Sequence, residues 1–207
     1  MPNESTSPRR TQADRRRATR DALLAAGRRL FAERGVGAVA AAELVEAAGV
    51  TRGALYHHFD DKNDLFRAVF EGIERDLRDE FTARADAAGS AVEGLVTAVG
   101  WFLDACERPE VHRICLLDAP AVLGWERWRA IEREHALGAL TERLGAAAAE
   151  TGTELPGPVD VVASLLFSAV IEAALAIGHA ADPAAERARV EPALYGLAAR
   201  TLGIRPG

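Results

Sequence analysis

The sequence predicts an all-α chain: an N-terminal helix-turn-helix unit of three helices, then a C-terminal helical bundle. Three features carry this reading. Residues 44 to 65, LVEAAGVTRGALYHHFDDKNDL, read as two short helices joined by a tight turn and followed by the start of a third. Apolar side chains recur at three- and four-residue spacing from about residue 60 onward, the mark of helices with one buried face. Helix-breaking residues, Gly35, Gly49, Gly152 and the run Pro156, Gly157 and Pro158, fall between these stretches.

In chain order, residues 1 to 10 are polar, contain Pro2 and Pro8, and are expected to form a disordered basic tail. Arg9, Arg10, Arg15, Arg16, Arg17 and Arg20 cluster where the first helix begins, either as a solvated tail or as an arm that neutralises phosphates. Gln12 to Arg34 reads as a helix with Leu23, Ala26, Leu30 and Phe31 inward, ended by Gly35. Leu44, Val45 and Ala48 form the next apolar face, and Gly49 stands where the chain must turn. Thr51 is placed to cap a further helix with its hydroxyl. Leu55 and Phe59, four apart, give that helix its inward side and leave Arg52, Gly53, Ala54, Tyr56 and His57 outward. Long donors beside small residues suit a DNA major groove, where an arginine can reach a guanine edge with two hydrogen bonds.

Asp60 to Ala83 is expected to be one long helix with Leu65, Phe66, Val69, Phe70, Ile73 and Leu77 inward. Val92, Leu95, Val96, Val99, Phe102, Leu103 and Cys106 mark another. Pro109 starts a short helix reaching about Leu117, and Pro120 and Gly124 precede a single long helix from Trp125 to about Glu150. The stretch Val159 to Ala181 is apolar on most sides and needs cover from more than one direction. A last helix, Pro183 to Leu202, is indented by Pro192. Domain limits are set at 11–60 for the helix-turn-helix unit and 61–207 for the remainder.

The net charge of −6 conceals an asymmetry. Residues 1 to 67 carry 12 basic against 9 acidic side chains, the rest 13 against 22. The basic part is therefore the helix-turn-helix part, which is the distribution a nucleic-acid partner requires. Of the 25 basic residues only Lys62 is a lysine. Cys106 and Cys115 suffice neither for a disulfide framework nor for a zinc site. His57 and His58, about 100° apart around a helix, do not share an ion, so no metal and no cofactor is expected. With no apolar leader in MPNESTSPRRTQADRRR, a reducing cytoplasm is the expected compartment. Val161 to Ala181 is long enough to span a membrane, but Ser164, Ser168, Glu172 and His179 favour a helix buried among others.

The run Ala48, Gly49, Val50, Thr51, Gly53, Leu55, Tyr56, His58, Phe59, Lys62 and Leu65 resembles the helix-turn-helix pattern of the TetR family of transcriptional regulators at every fixed position, and the resemblance extends from about Thr11 to about Phe70. It implies that Arg52, Gly53 and Ala54 face base edges, while Thr51, Tyr56, His58 and Lys62 hold phosphates. The competing view of Tyr56 and His58 is that they complete a small core. Ala40 departs from the family, which has Thr or Ser there to cap the second helix; about 1 kcal/mol is lost with such a cap, and residues 38 to 43 are expected to be less sharply ordered.

The resemblance also implies a homodimer through the last two helices, with Ala169, Ala173, Ala174, Ala176 and Gly178 permitting close packing; burial within one subunit is the alternative. It implies a pocket for a small-molecule effector, for which Trp101, Phe102, Cys106, Cys115, Trp125, Trp128 and Phe167 are candidate lining, with His112, His135 and Glu172 as polar anchors. The function expected is a repressor released by its effector from a palindromic operator in double-stranded DNA. A TetR-fold protein that binds a protein partner, hinted at by Ala40, Asp60 and Asp61, is one alternative. An all-helical enzyme is another, although no Gly-rich phosphate loop, nucleophile elbow or metalloprotease motif is present.

Overall fold

The computed structural model describes residues 11 to 204, and every regular element among them is helical. The expected disordered tail, with Arg9 and Arg10, lies outside the described residues. The chain forms two compact units, Met1–Val69 and Phe70–Gly207. Their division falls inside a continuous helix, nine residues beyond the functional boundary expected from the sequence.

In the first unit, α1 (Gln12–Arg34) opens with a reciprocal cap: the Thr11 hydroxyl accepts from Asp14 N at 3.1 Å, and the Asp14 carboxylate accepts from Thr11 N at 3.0 Å. It stops at Gly35, whose φ of 76° suits a residue without a side chain and whose N–H donates to Phe31 O. A single 3-10 turn, Val36–Ala38, leads to α2 (Ala41–Ala47); Gly49, at φ 65°, turns the chain towards α3 (Arg52–His58). The core is built from Leu23, Phe31, Leu44, Leu55, Leu65 and Phe66, all wholly buried, with Phe31 and Phe66 edge to face at 5.5 Å.

Ala40 offers no side-chain acceptor to α2, as its identity requires, yet the segment around it is held. The Glu43 carboxylate accepts from Ala40 N at 2.8 Å and pairs with Arg34, which also donates to Ala38 O at 2.7 Å. Half of a reciprocal cap and one arginine bridge thus replace the missing hydroxyl, and the looseness expected of residues 38 to 43 is not what the geometry supports. The Arg34 hydrogen bond, followed by that from Ala40, holds the Glu43 carboxyl below its ordinary range. Asp61 and Asp64 have an equally local task at the start of α4 (Lys62–Asp86), accepting from Asp64 N at 2.8 Å and Asp60 N at 3.2 Å.

In the second unit, α4 continues with Phe70, Ile73, Leu77 and Phe81 buried, and α5 (Ala91–Cys106) starts at Ser90, whose hydroxyl accepts from Glu93 N. The predicted short helix runs as a wider, π-helical segment, Val111–Asp118, directly into α6 (Ala119–Leu123), whose first turn contains Pro120, a residue with no N–H to donate. Gly124, at φ 75°, then precedes α7. The single long helix expected from Trp125 is broken. His135 adopts φ −120° and ψ −102°, dividing α7 (Trp125–Glu134) from α8 (Ala136–Thr151). Gly138 lets the chain double back here, since a Cβ on it would stand 2.5 Å from Arg133 O.

The last pair is α9 (Val159–His179) and α10 (Pro183–Thr201), the latter containing Pro192. α9 is long and apolar enough to cross a membrane, and it buries Leu166, Phe167, Val170 and Ile177 against its own chain. Two of the small residues expected at a subunit interface, Ala173 and Ala174, are buried within the chain, and Gly178 makes room for His112, whose Nε2 would lie 2.5 Å from a Cβ there. Intrachain packing accounts for these three.

A Cβ at Gly94 would lie 2.5 Å from Ala85 O, a backbone atom that cannot turn aside. Gly94→Ala is expected to lower the stability of the second unit by about 1–3 kcal/mol. Gly72→Ala, in α4 with nothing within 4 Å, should raise it by about 0.5–1 kcal/mol. Thermal unfolding of the two variants side by side checks both signs.

Candidate nucleic-acid interface

Seven residues are too few for a helix to persist alone, so α3 is fixed by its ends and its inner side. The Thr51 hydroxyl accepts from Ala54 N at 3.2 Å, while Leu55 and Phe59 are buried beneath it. The Arg20 guanidinium of α1 lies 5.3 Å over the Phe59 ring. Outward stand Thr51, Arg52, Gly53, Tyr56 and His57, all exposed, with Ala54 and His58 half-buried at the edge. Tyr56 is 46% exposed, which rules out a core role for its ring. The Arg52 guanidinium rests 5.7 Å from that ring, a cation-π contact that limits the arginine's freedom before any partner arrives.

Gly53 is informative through what surrounds it. A Cβ there would meet only Thr51 Oγ1, at 3.9 Å, among the described residues, and its φ is not positive. Neither packing nor backbone geometry requires glycine, although glycine costs a helix about 1 kcal/mol relative to alanine. Its smoothness is turned towards the exterior. His58 has its pKa lowered by burial first, then by His57, Arg16 and Arg20; it is a neutral hydrogen-bonding group beside two arginines of α1. His57 and His58 meet edge to face at 5.4 Å.

Lys62 has a use that the sequence expectation did not include. Its ammonium donates to Val36 O at 2.7 Å and Val39 O at 2.9 Å, joining the start of α4 to the turn between α1 and α2. Two of its three N–H groups are spent on these partly buried carbonyls. Holding the unit together is thus one role of Lys62, and one N–H remains for a further acceptor.

Of the candidate pocket residues in the second unit, Phe102 and Phe167, 5.9 Å apart, line a void of about 10 Å³. Trp101 is half-buried between the Arg84 and Arg108 guanidinium groups, 4.4 and 5.4 Å from its ring. Glu172 is exposed on α9. Cys106 and Cys115 are buried thiols; His112 packs on Gly178 and His179, its Nε2 without a partner among the described residues. Trp125 is 67% exposed and leans on buried Trp128 at 5.3 Å. A larger apolar cavity, about 230 Å³, lies between α5 and α10, walled by Leu95, Val99, Leu166, Leu194 and Leu202 with Tyr195 as its polar member. None of the sequence candidates lines it.

Sequence reasoning also missed two buried acids, Glu74 and Glu132, each 3% exposed. Both lie on the apolar side of their helices, Glu74 among Phe70, Ile73 and Leu77, and Glu132 beside Trp128 and Ile131; a charge inside an apolar stripe was the available signal. Burial, then repulsion from Glu132, pushes Glu74 up to about 8. Burial raises Glu132 to about 7, against the pull of Arg129.

Two outcomes follow. Lys62→Ala should lower the stability of the first unit by about 2 kcal/mol, because two charge-assisted bonds are lost; urea unfolding followed by α-helical circular dichroism measures it. A carboxyl whose folded pKa lies above its unfolded value binds the extra proton in the folded state, so stability falls as pH rises from the unfolded to the folded value. Wild-type protein should thus lose stability between about pH 4.5 and about pH 8 relative to Glu74→Gln, as read from thermal midpoints across that range.

Two family models match the chain. One, described as bacterial regulatory proteins of the tetR family, covers residues 23–69; the other, described as tetracyclin repressor-like C-terminal domain, covers residues 92–200. Over 59 residues the chain is 46% identical to the transcriptional regulator AcrR of Shigella flexneri, a match spanning 28% of this chain and 27% of that one. Over 61 residues it is 48% identical to the transcriptional repressor BepR of Brucella suis, spanning 30% and 29%. The matches thus span less than a third of the length of these relatives. A crystal structure of a TetR-family transcriptional regulator from Pectobacterium atrosepticum is 32% identical and superposes with a TM-score of 0.78 over 96% of this chain and 100% of that one. RolR in complex with resorcinol shares the fold, at 21% identity and a TM-score of 0.68 over 94% and 97%. With a helix-turn-helix at one end and the matching regulatory fold over more than half its length, the chain belongs to the TetR family of transcriptional regulators, a family of DNA-binding proteins and not of enzymes.

Proposed function

We propose that the protein is a homodimeric, ligand-responsive repressor that binds a palindromic operator through α3 of each subunit. The observation that carries this is the outer face of α3: an exposed arginine braced on an exposed tyrosine, beside a glycine that nothing inside the chain requires. Arg52, with Gly53 and Ala54, reads base edges in the major groove. Thr51, Tyr56, His57 and His58 fix register on the phosphates, which positions the helix without reading sequence. Arg16 and Arg20 of α1 add positive potential close to His58.

The dimer uses the outer sides of α9 and α10. Leu165, 68% exposed, and Leu197, 47% exposed, are large apolar side chains on those two helices, and Pro192 and Ala193 are exposed beside Leu197. Two recognition helices about 34 Å apart would meet successive major grooves on one side of the duplex. A small-molecule effector bound in the second unit, where α4 begins its second half, would release the operator by favouring a different state of the pair. The protein acts in the cytoplasm. Two of the three hints toward a protein-binding relative have local explanations, because Asp61 serves the start of α4 and Glu43 substitutes for the cap that Ala40 lacks.

The test is a gel shift with the DNA upstream of the protein's own gene at two salt concentrations. Sequence-selective binding that weakens with salt is expected. Tyr56→Phe should weaken all sequences alike, whereas Arg52→Ala should relax preference at one or two base pairs by about 1–3 kcal/mol. Gly53→Val should abolish specific binding while the unit still folds. Equal losses on all sequences for all three variants would contradict the division between reading and positioning.

A further inference from the structure

α10 is fastened to the second unit by polar contacts towards both ends, with an open space between them. Near its start, Arg187 spans three carboxylates: Nη2 lies 2.6 Å from Asp104 of α5, Nη1 donates to Glu107 at 2.9 Å, and Nε donates to Glu191, one turn on, at 3.0 Å. Tyr195, a further turn along, reaches across to α5, its hydroxyl so near Gly100 that a Cβ there would stand 2.6 Å away. At the far end the Thr153 hydroxyl, in the loop after α8, donates to Leu202 O at 2.7 Å. Gly203, at φ 65°, permits that approach, since a Cβ on it would lie 2.8 Å from Thr153 Oγ1. Tyr195 thus acts as a strut on one side and Thr153 as a hook on the other.

The cavity of about 230 Å³ lies between strut and hook. Ala198 and Ala199 of α10 line it opposite Val96 and Val99 of α5, short side chains on both sides of the gap. Protein interiors hold few voids larger than a water, and unfilled apolar space lowers stability in proportion to its volume. Strut and hook keep α10 from closing on α5 and removing the space. The exposed leucines assigned to the subunit interface, Leu165 and Leu197, do not line it; the cavity belongs to the inner sides of the helices whose outer sides meet the partner subunit.

The walls define what can occupy it. Among the described residues that line the cavity, all but Tyr195 are aliphatic and none is charged. The Tyr195 hydroxyl hydrogen-bonds to Glu191, a carboxylate already paired with Arg187, so its one proton is committed there. Burial, then the Glu191 charge, raises the pKa of this phenol and keeps it neutral. An ionic group entering the cavity would lose its hydration and gain no partner. Size follows from volume: an apolar cavity of about 150 Å³ takes benzene, and the further 80 Å³ or so holds about three more heavy atoms at the ~30 Å³ a water-sized group occupies in a liquid.

We propose that the cavity between Tyr195 and Leu202 binds an uncharged, hydrocarbon-like molecule of about nine heavy atoms, such as a benzene ring with a short alkyl tail, and rejects acids and amines of the same size. Val96, 45% exposed, marks the edge at which the molecule enters. Once inside, it sets the separation of α10 from α5. Its service as the effector rests on the reading of the second unit as the ligand-responsive part, for which it supplies the chemical class.

The experiment uses the full chain without DNA. Propylbenzene, 2-phenylethylammonium, which has the same heavy-atom count with a charge at its tail, and anionic phenylacetate are titrated by calorimetry near neutral pH. Propylbenzene is expected to bind at least about tenfold more tightly than either ion. Ala198→Leu fills the space from the α10 side and should weaken propylbenzene by about tenfold or more while the thermal midpoint is kept. Val99 lines both this cavity and the small void beside Phe102 and Phe167. Val99→Ala joins the two and should move the preference from propylbenzene to the longer pentylbenzene, a change of selectivity that decides the matter even if Ala198→Leu fails to fold.

Equal binding of phenylacetate or 2-phenylethylammonium would overturn the proposal. So would propylbenzene binding unchanged in a folded Ala198→Leu, a preference unmoved in Val99→Ala, or no binding of propylbenzene up to its solubility limit. Where propylbenzene binds as described, a gel shift with the upstream DNA separates the site from its role: weakened operator binding supports both, and unaltered operator binding supports the site while counting against release by ligand.

Discussion

A single ammonium holds the helix-turn-helix unit in register. Lys62 reaches back across more than twenty residues to two carbonyls of the turn that follows α1, and by doing so fixes where α4 begins. Between those anchors lie α2 and α3, each seven residues long and neither able to persist alone. Arg34 performs the matching service at the other side of the turn, tying Ala38 and Glu43 to the end of α1. The exposed face of α3 is therefore presented by a frame of charge-assisted bonds to backbone as much as by its apolar core. A recognition surface needs that rigidity, because a helix free to rock would lose the alignment on which base-edge hydrogen bonds depend.

What the sequence made legible was local. The limits of α1, the positive φ at Gly35 and Gly49, and the Thr51 cap all follow from interactions within a few residues, which residue type and spacing report directly. Leu23, Leu44, Leu55 and Phe59 were legible as core because the helical period places them on one side. What escaped was set by long-range partners. Nothing near Lys62 in the chain announces that Val36 and Val39 will claim its donors. Likewise, His135 is compatible with helix, and its break depends on the tight return at Gly138. In the second unit, too, burial of Glu74 depends on distant partners, and an acid inside an apolar stripe is its only local sign.

The two units treat charge in opposite ways. In the first, charged side chains are exposed or paired, and Arg16 and Arg20 act on His58 at the edge of α3. In the second, two carboxyls are withdrawn from water, one guanidinium serves one of them, and the other carries the energetic burden of the cluster. A buried ion pair is weak evidence for stability, since apolar packing of similar volume commonly does as well.

The employment of Lys62 also has a chemical side. It is the sole lysine of the sequence, so no other side chain carries a primary amine. Half-buried and donating to two carbonyls, that amine would keep a single N–H once acylated, so the modification breaks at least one of the two bonds. Acylation at this one nitrogen therefore loosens the turn from α4, and a reagent for primary amines becomes a probe of the joint that needs no introduced label.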